Sequence, residues 1–181
     1  MTTLAQDKAA LIAMELAGPY TKRIGQPAYS DEAIEVLEDV LQPQFNVLEF
    51  GSGASTIWLA QKVWWVYTIE HNRVWLGKID KAIRDLELQN VSTFLVEQQL
   101  MVYRELLPAF QRAKFQFDVI LIDGIERGTC IKHCFDVVKP GGYVLLDDAH
   151  RMKYHLIPRK FKKRGWSRLT TGKHTTIWQK P

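Results

Sequence analysis

A chain of 181 residues with 46% hydrophobic content is one domain by length, able to bury roughly two-thirds of its unfolded surface without disulfide or metal staples. No stretch reaches the ~18 consecutive apolar residues of a membrane span, and Asp7, Lys8 and Glu15 interrupt the apolar core that a secretory signal needs. The net charge of +4 is uneven: Arg151 to Pro181 holds ten Lys/Arg and no acid, leaving fourteen bases against twenty acids before it, which fits either an anionic partner or a plain basic face.

Apolar residues at Leu4, Leu11, Ile12 and Leu16 predict a helix over Thr3–Leu16, ended by Gly18-Pro19. Thr21–Tyr29 reads as a loop. Ser30 is an N-cap with Asp31 and Glu32 in the first turn, and Ile34, Leu37, Val40 and Leu41 follow at helical spacing until Pro43. Residues 1–44 are therefore expected as two helices that cover the mouth of a core formed by residues 45–181, in a single domain.

The core opens with a strand over Asn46–Phe50, a turn at Gly51 and Gly53, and a helix from about Ser55 to Lys62. Further strands are expected at Trp64–Ile69, Val91–Val96, Phe117–Ile122 and Tyr143–Leu146, with helices at Arg73–Leu88, Met101–Phe110 (despite Pro108), Gly128–Val138 and Met152–Lys163. Pro140-Gly141-Gly142 is a turn. Trp166–Thr170 and Thr175–Gln179, with only Gly172-Lys173-His174 between them, form a hairpin. Near-continuous apolar strands alternating with helices indicate a parallel sheet covered on both faces. The fold class is thus α/β: a Rossmann-like, doubly wound, seven-stranded and mainly parallel sheet with an antiparallel C-terminal hairpin. Cys130 and Cys134 lack the companions of a metal set, read as small buried residues, and suit a reducing cytoplasm.

Acids recur at the strand ends: Glu70, Glu97, Asp123 and the pair Asp147-Asp148, with Glu49 just before the glycines. A carboxylate after a strand often caps the next helix, but the repetition places these on one edge of the sheet, where open α/β sheets bind ligands. The glycines let backbone approach a ligand, and the helix start offers amide N–H groups. Yet Thr56 stands where a dinucleotide fingerprint has its third glycine, and no Gly-Lys-Ser/Thr phosphate loop is present. Glu70, 19 residues after Gly51, is where an acid accepts from ribose hydroxyls. The expected ligand is adenosine-like with little or no phosphate.

Glu49-Phe50-Gly51-Ser52-Gly53-Ala54-Ser55, Tyr67–His71, Phe117–Gly124 and Val138–Tyr143, with the closing hairpin, resemble in order and spacing the class I S-adenosylmethionine-dependent methyltransferases. Asp123-Gly124-x-x-Arg127-x-x-Cys130 and Leu146-Asp147-Asp148-x-x-Arg151-x-x-Tyr154 are similar to a small bacterial-type group in that class, with Asp148 where the pattern often has Asn. The resemblance implies a cofactor, S-adenosylmethionine, at Glu49, Gly51, Ser52, Gly53, Ser55, Glu70, His71, Glu97, Gln98 and Asp123. Within that set, Gly51 and Gly53 approach the methionine part, Glu49 orients the loop or the amino group, Glu70 takes the ribose and Glu97-Gln98 the adenine. Candidate bases are Asp123, Asp147, Asp148 and His150, with Asp123, Asp148 and His150 taken as the catalytic set. Asp123 and Asp148 also match two of the metal-holding positions of catechol-type enzymes; Ala149 replaces the third, and a divalent metal is not favoured.

The implied reaction is methyl transfer to a hydroxyl of a small molecule or sugar-like acceptor. Alternatives are an RNA or protein target reached through the basic run Arg159–Arg164, anchored by Ile157 and Phe161, and a cofactor-binding protein without catalysis. No base-amine signature follows the fourth strand, which ends Ile122-Asp123-Gly124-Ile125. Nothing in the sequence fixes the oligomeric state.

Overall fold

The computed structural model describes residues 26–97, 100–170, 172 and 174–181. The helix expected over Thr3–Leu16, most of the Thr21–Tyr29 loop, and Gln98 lie outside the described residues. The described elements run α1 (Asp31–Val40), β1 (Asn46–Phe50), α2 (Ala54–Ala60), β2 (Trp65–Glu70), α3 (Arg73–Asp85), β3 (Val91–Leu95), α4 (Leu100–Arg112), β4 (Phe117–Ile122), α5 (Arg127–His133), β5 (Val138–Leu146), α6 (Ile157–Lys162), β6 (Ser167–Arg168) and β7 (Thr176–Gln179). Short 3-10 turns occupy Cys134–Asp136 and Met152–Tyr154.

The seven strands lie in the order β3-β2-β1-β4-β5-β7-β6. β1 pairs in parallel with both β2 and β4, so the chain winds outward from β1 in both directions and the crevice between β1 and β4 is the switch point. β7 runs antiparallel to β5 and to β6. The period-two alternation of the strands explains the two layers. Leu48, Phe50, Ile120, Ile122, Val144 and Leu146 turn to one face and join Leu107, Ile131, Phe161 and Trp178. Val47, Val119, Leu121 and Leu145 turn to the other, against Ala33, Ile34 and Leu37 of α1 and Trp58 and Leu59 of α2. Residues of both sets are almost entirely buried, which is why the strands read as unbroken apolar runs.

Several expected boundaries move. The helix placed over Gly128–Val138 stops at His133; Cys134–Asp136 is a 3-10 turn, and the carbonyl of Val137 already accepts from Phe117 N at 2.8 Å, on the edge of the sheet. The Pro140-Gly141-Gly142 turn lies inside β5 as an irregularity: the pairing steps from Phe117↔Val138 to Val119↔Tyr143, so the extra β5 residues bulge out. The helix placed over Met152–Lys163 starts only at Ile157, because Pro158 fits the first turn of a helix but not its interior. Its inward anchors are as expected: Ile157 and Phe161 are buried, and the Phe161 ring stacks on Trp178 with centroids 4.1 Å apart. β6 is shorter than the segment expected for it. Cys130 and Cys134 are free thiols in the core, and burial raises both well above the usual thiol range.

Candidate active site

The glycine turn after β1 sits against the turn after β4. Gly51 has φ +94°, and a Cβ there would lie 2.7 Å from Gly124 N; one on Gly124 would lie 3.0 Å from Gly51 N. Two backbones thus touch at the switch point, tied by Asp123 N donating to Phe50 O at 2.9 Å. Gly53 is different: its backbone is extended, and an added Cβ would meet only Ser55 Oγ, at 3.8 Å.

Three successive loop amides are used within the protein. Gly51 N donates to Ile69 O (2.9 Å), Ser52 N to Glu70 Oε2 (3.0 Å) and Gly53 N to Thr56 Oγ1 (3.0 Å). The loop therefore does not form the amide cradle that holds a phosphate. Trp75 Nε1 on α3 donates to Ser52 O at 2.8 Å and fixes the loop from its other side.

Glu49 lies beneath this loop, fully buried, and accepts from Ser55 Oγ, Thr56 Oγ1 (2.5 Å) and Thr68 Oγ1 (2.8 Å). Burial pushes its carboxyl up to about 7, against the opposing effect of those three hydroxyls. Glu49 thereby ties the loop to β2 and α2, and it lines neither cavity.

Glu70 ends β2 with four hydrogen-bond donors, Ser52 N, Ser52 Oγ, His71 N and Asn72 N, at 2.8 to 3.0 Å. These match the four lone-pair sites of a carboxylate, and of the four donors only the Ser52 hydroxyl can rotate away. His71 Nδ1 lies 2.8 Å from Glu70 Oε1. Glu70, His71, Ser52, Gly51 and Trp75 line a cavity of about 470 Å³. Glu97 is not among its walls: its exposed carboxylate pairs with Arg73 Nε at 3.0 Å.

A second cavity, about 680 Å³, opens between the ends of β4 and β5 and residues 26–34. Asp123 and Arg151 belong to both cavities; Asp147, Asp148, Tyr29, His174 and Thr175 line the second. Arg127, missing from the expected site set, organises the acids. Its guanidinium lies 2.9 Å from Asp123 Oδ1, 3.1 Å from Asp148 Oδ2 and 3.7 Å from Asp147 Oδ2. It also donates to three carbonyls, Gly124 O (2.9 Å), Asp123 O (2.7 Å) and Asp147 O (2.6 Å). Asp148, at φ +52°, is paired with Arg151 as well, while Asp147 accepts from Thr175 Oγ1 at 2.7 Å. Burial raises the Asp123 carboxyl well above the usual range, helped by Asp147 and opposed by Arg127.

The expected acids therefore converge in part. Glu70, Asp123, Asp147 and Asp148 line the two cavities, and Glu97 does not. His150 is exposed and lines neither cavity; its ring rests on His174, with centroids 4.3 Å apart, and His174 is the histidine in the second cavity. The sequence did carry a signal for Arg127 and Arg151: each stands four residues after an acid at a strand end, in Asp123-x-x-x-Arg127 and Asp147-x-x-x-Arg151. Tyr29 had none, because the loop that places it has no periodicity. Among the described residues, no group of three or more His, Cys, Asp or Glu is arranged to hold a metal ion, and no helix is long and apolar enough to cross a membrane.

A doubly wound sheet with an antiparallel β7, a glycine turn at the switch point and an acid ending β2 defines a nucleoside-binding α/β enzyme of the methyl-transfer class. The chain belongs to the methyltransferase domain family, whose profile matches residues 48–149. It is an S-adenosylmethionine-dependent methyltransferase. Solved structures share its fold. An rRNA methylase from Streptococcus thermophilus is 16% identical with a TM-score of 0.63, over 82% of this chain and 93% of that one. The O-methyltransferase TomG from Streptomyces achromogenes, involved in tomaymycin synthesis and solved with S-adenosylmethionine, is 18% identical with a TM-score of 0.64, over 100% and 92%. A putative methyltransferase from Streptococcus mutans, solved with S-adenosylhomocysteine, is 14% identical with a TM-score of 0.61, over 82% and 96%. No curated protein matches the chain in sequence.

Proposed function

We propose that the protein methylates a hydroxyl group of a small-molecule or sugar-like acceptor, with the cofactor in the cavity at Gly51, Ser52 and Glu70 and the acceptor in the larger cavity beside it. The observation that carries this reading is that two cavities meet at Asp123, one on the glycine-turn side and one beneath residues 26–34. Bound S-adenosylmethionine supplies an electrophilic methyl group. The residues fit such a ligand: the room beside Gly53 admits its methionine end, and Glu70 offers a buried carboxylate to ribose hydroxyls once the Ser52 hydroxyl turns aside. Ser55, on the loop's far side, and His71, beside Glu70, complete the cofactor's surroundings.

The chain's part in the chemistry is to hold the acceptor in line and remove its proton. Asp123 and Asp147 face the acceptor cavity and take that proton. Asp148, paired with two arginines, positions Arg127 and Arg151 instead, and His150 stands outside. Residues 26–34 form the roof, in keeping with a single domain whose N-terminal segment covers the mouth. An RNA target is the weaker reading. The basic α6 surface supports it, but the carboxylates around the acceptor cavity repel a phosphate backbone.

The test is calorimetric titration with S-adenosylhomocysteine. Glu70→Ala is expected to weaken binding at least tenfold while the unliganded variant keeps its fold by circular dichroism. Binding as tight as the parent's would show that the ribose does not lie at Glu70.

A further inference from the structure

One residue that lines the acceptor cavity carries an unpartnered polar group. Tyr29 Oη is buried, and no hydrogen-bond partner among the described residues reaches it. The other such atom, His71 Nδ1, at least has Glu70 Oε1 at 2.8 Å. Ser55 Oγ is near enough to influence the ionisation of Tyr29, but its hydrogen goes to Glu49 and no well-formed hydrogen bond joins the two hydroxyls. Buried polar groups are nearly always satisfied, so an unpartnered hydroxyl on a residue that lines a cavity points to a ligand atom.

The surroundings show that this hydroxyl is held there. Tyr29 belongs to the same buried core cluster as Ala33, Ile34 and Trp58. The next residue is stitched across the cavity wall: Ser30 N donates to Thr175 Oγ1 (3.2 Å), which donates to Asp147 Oδ1 (2.7 Å). Burial, with Asp123, Glu49 and Asp147 nearby, raises the phenol well above its usual range. A phenol held in its neutral form is a hydrogen-bond donor in want of an oxygen or nitrogen lone pair.

The rest of the wall sets the charge of what can enter. Asp31, Asp123, Asp147 and Asp148 line the cavity, and Arg151 is the one Lys or Arg among its described lining residues. Carboxylates accept from hydroxyl or ammonium groups and repel anions. About 680 Å³ is the size of a small-molecule site.

We propose that Tyr29 Oη is the donor that seats the methyl acceptor, and that the acceptor is an uncharged or cationic polyhydroxylated small molecule, one oxygen taking the Tyr29 hydrogen and another hydroxyl donating to Asp147. This rests on the reading of the larger cavity as the acceptor site.

The experiment uses the full chain, wild type and Tyr29→Phe, with methyl-labelled S-adenosylmethionine. A cell extract is divided into macromolecules and a small-molecule fraction, and the latter is split by ion exchange into anionic, neutral and cationic pools. Label is expected in the neutral or cationic pool, with transfer by Tyr29→Phe at limiting acceptor at least tenfold slower. Affinity for S-adenosylhomocysteine should stay within twofold of wild type. The unliganded variant should melt no lower than wild type, because the change removes only an unsatisfied hydroxyl; that melt and the retained affinity are the fold controls. Label in the anionic pool or in macromolecules overturns the proposal, as does wild-type transfer by Tyr29→Phe. Weakened S-adenosylhomocysteine binding by a variant that melts normally moves Tyr29 to the cofactor and overturns it too. Wild type that binds S-adenosylhomocysteine but labels no pool refutes the acceptor assignment and this proposal together. Failure of the wild type to bind S-adenosylhomocysteine would instead refute the cofactor placement beneath both.

Discussion

Replacing Glu49 by Gln should change how the protein's stability depends on pH. In the folded state burial raises this carboxyl from 4.5 to about 7. Between those values the folded protein holds a proton that the unfolded chain has released, so stability from this group is fully present below pH 4.5 and is lost as pH rises through 7. The whole effect is about 3 kcal/mol, of which some 2–3 kcal/mol falls between pH 5 and 8. Gln resembles the protonated acid: its carbonyl can accept from Thr56 and Thr68 while its amide donates to Ser55 Oγ, whose hydroxyl turns. Urea unfolding at pH 5, 6, 7 and 8 is the assay. Glu49→Gln is expected to match wild type at pH 5 and to exceed it by about 2–3 kcal/mol at pH 8, so that the difference between the two proteins opens with rising pH. Asp123 titrates with the same sign, but it is present in both proteins and cancels. A wild-type-minus-variant difference that stays constant from pH 5 to 8 would refute the reasoning, because it would mean that Glu49 is charged throughout that range.

Gly51→Ala combines a positive φ with a Cβ 2.7 Å from backbone that cannot turn aside, and should cost at least about 2 kcal/mol in urea unfolding. Gly53→Ala, with open space around its Cβ, is the control and should cost less than about 1 kcal/mol, so equal losses would refute the distinction. Arg127→Met strips a guanidinium only 10% exposed from three carboxylates and should cost about 3–5 kcal/mol at neutral pH. Because burial makes the Asp123 carboxyl readier than usual to take a proton, that loss should shrink as pH falls; a loss that grows on acidification would refute the assignment.

The sheet was legible because a strand buried on both faces must be apolar at nearly every position, and Val47–Phe50 and Phe117–Ile122 are. What was misread depended on contacts far along the chain. Pro140-Gly141-Gly142 has the composition of a turn, but β4 holds that segment in the sheet. Lys139 Nζ reaches both oxygens of Asp118 at 2.9 Å, and a Cβ on Gly142 would lie 2.6 Å from Asp118 O. In the site, the acids at the strand ends could be counted from the sequence, because the edge they occupy follows from the parallel order. Their partners could not, since side-chain direction beyond a strand end is set by the loop. Glu97 and His150 sit at the expected chain positions and turn to solvent, while Tyr29 and Arg127 turn inward.

The arginine explains why acids that converge on one edge bound two cavities. Three carboxylates crowded at the ends of β4 and β5 would repel one another in a half-buried setting, and each would gain by protonating. One guanidinium on the first turn of α5 counters all three and also binds the carbonyls that end β4 and β5. It is a lining residue on the Gly51 side and not on the Tyr29 side. The Arg127 charge thus lies on the Gly51 side, while Arg151, paired with Asp148, borders both cavities. Under the proposed methylation of a hydroxyl, Asp123 and Asp147, with Arg127 held to the far side, can accept the acceptor's proton without losing their positions.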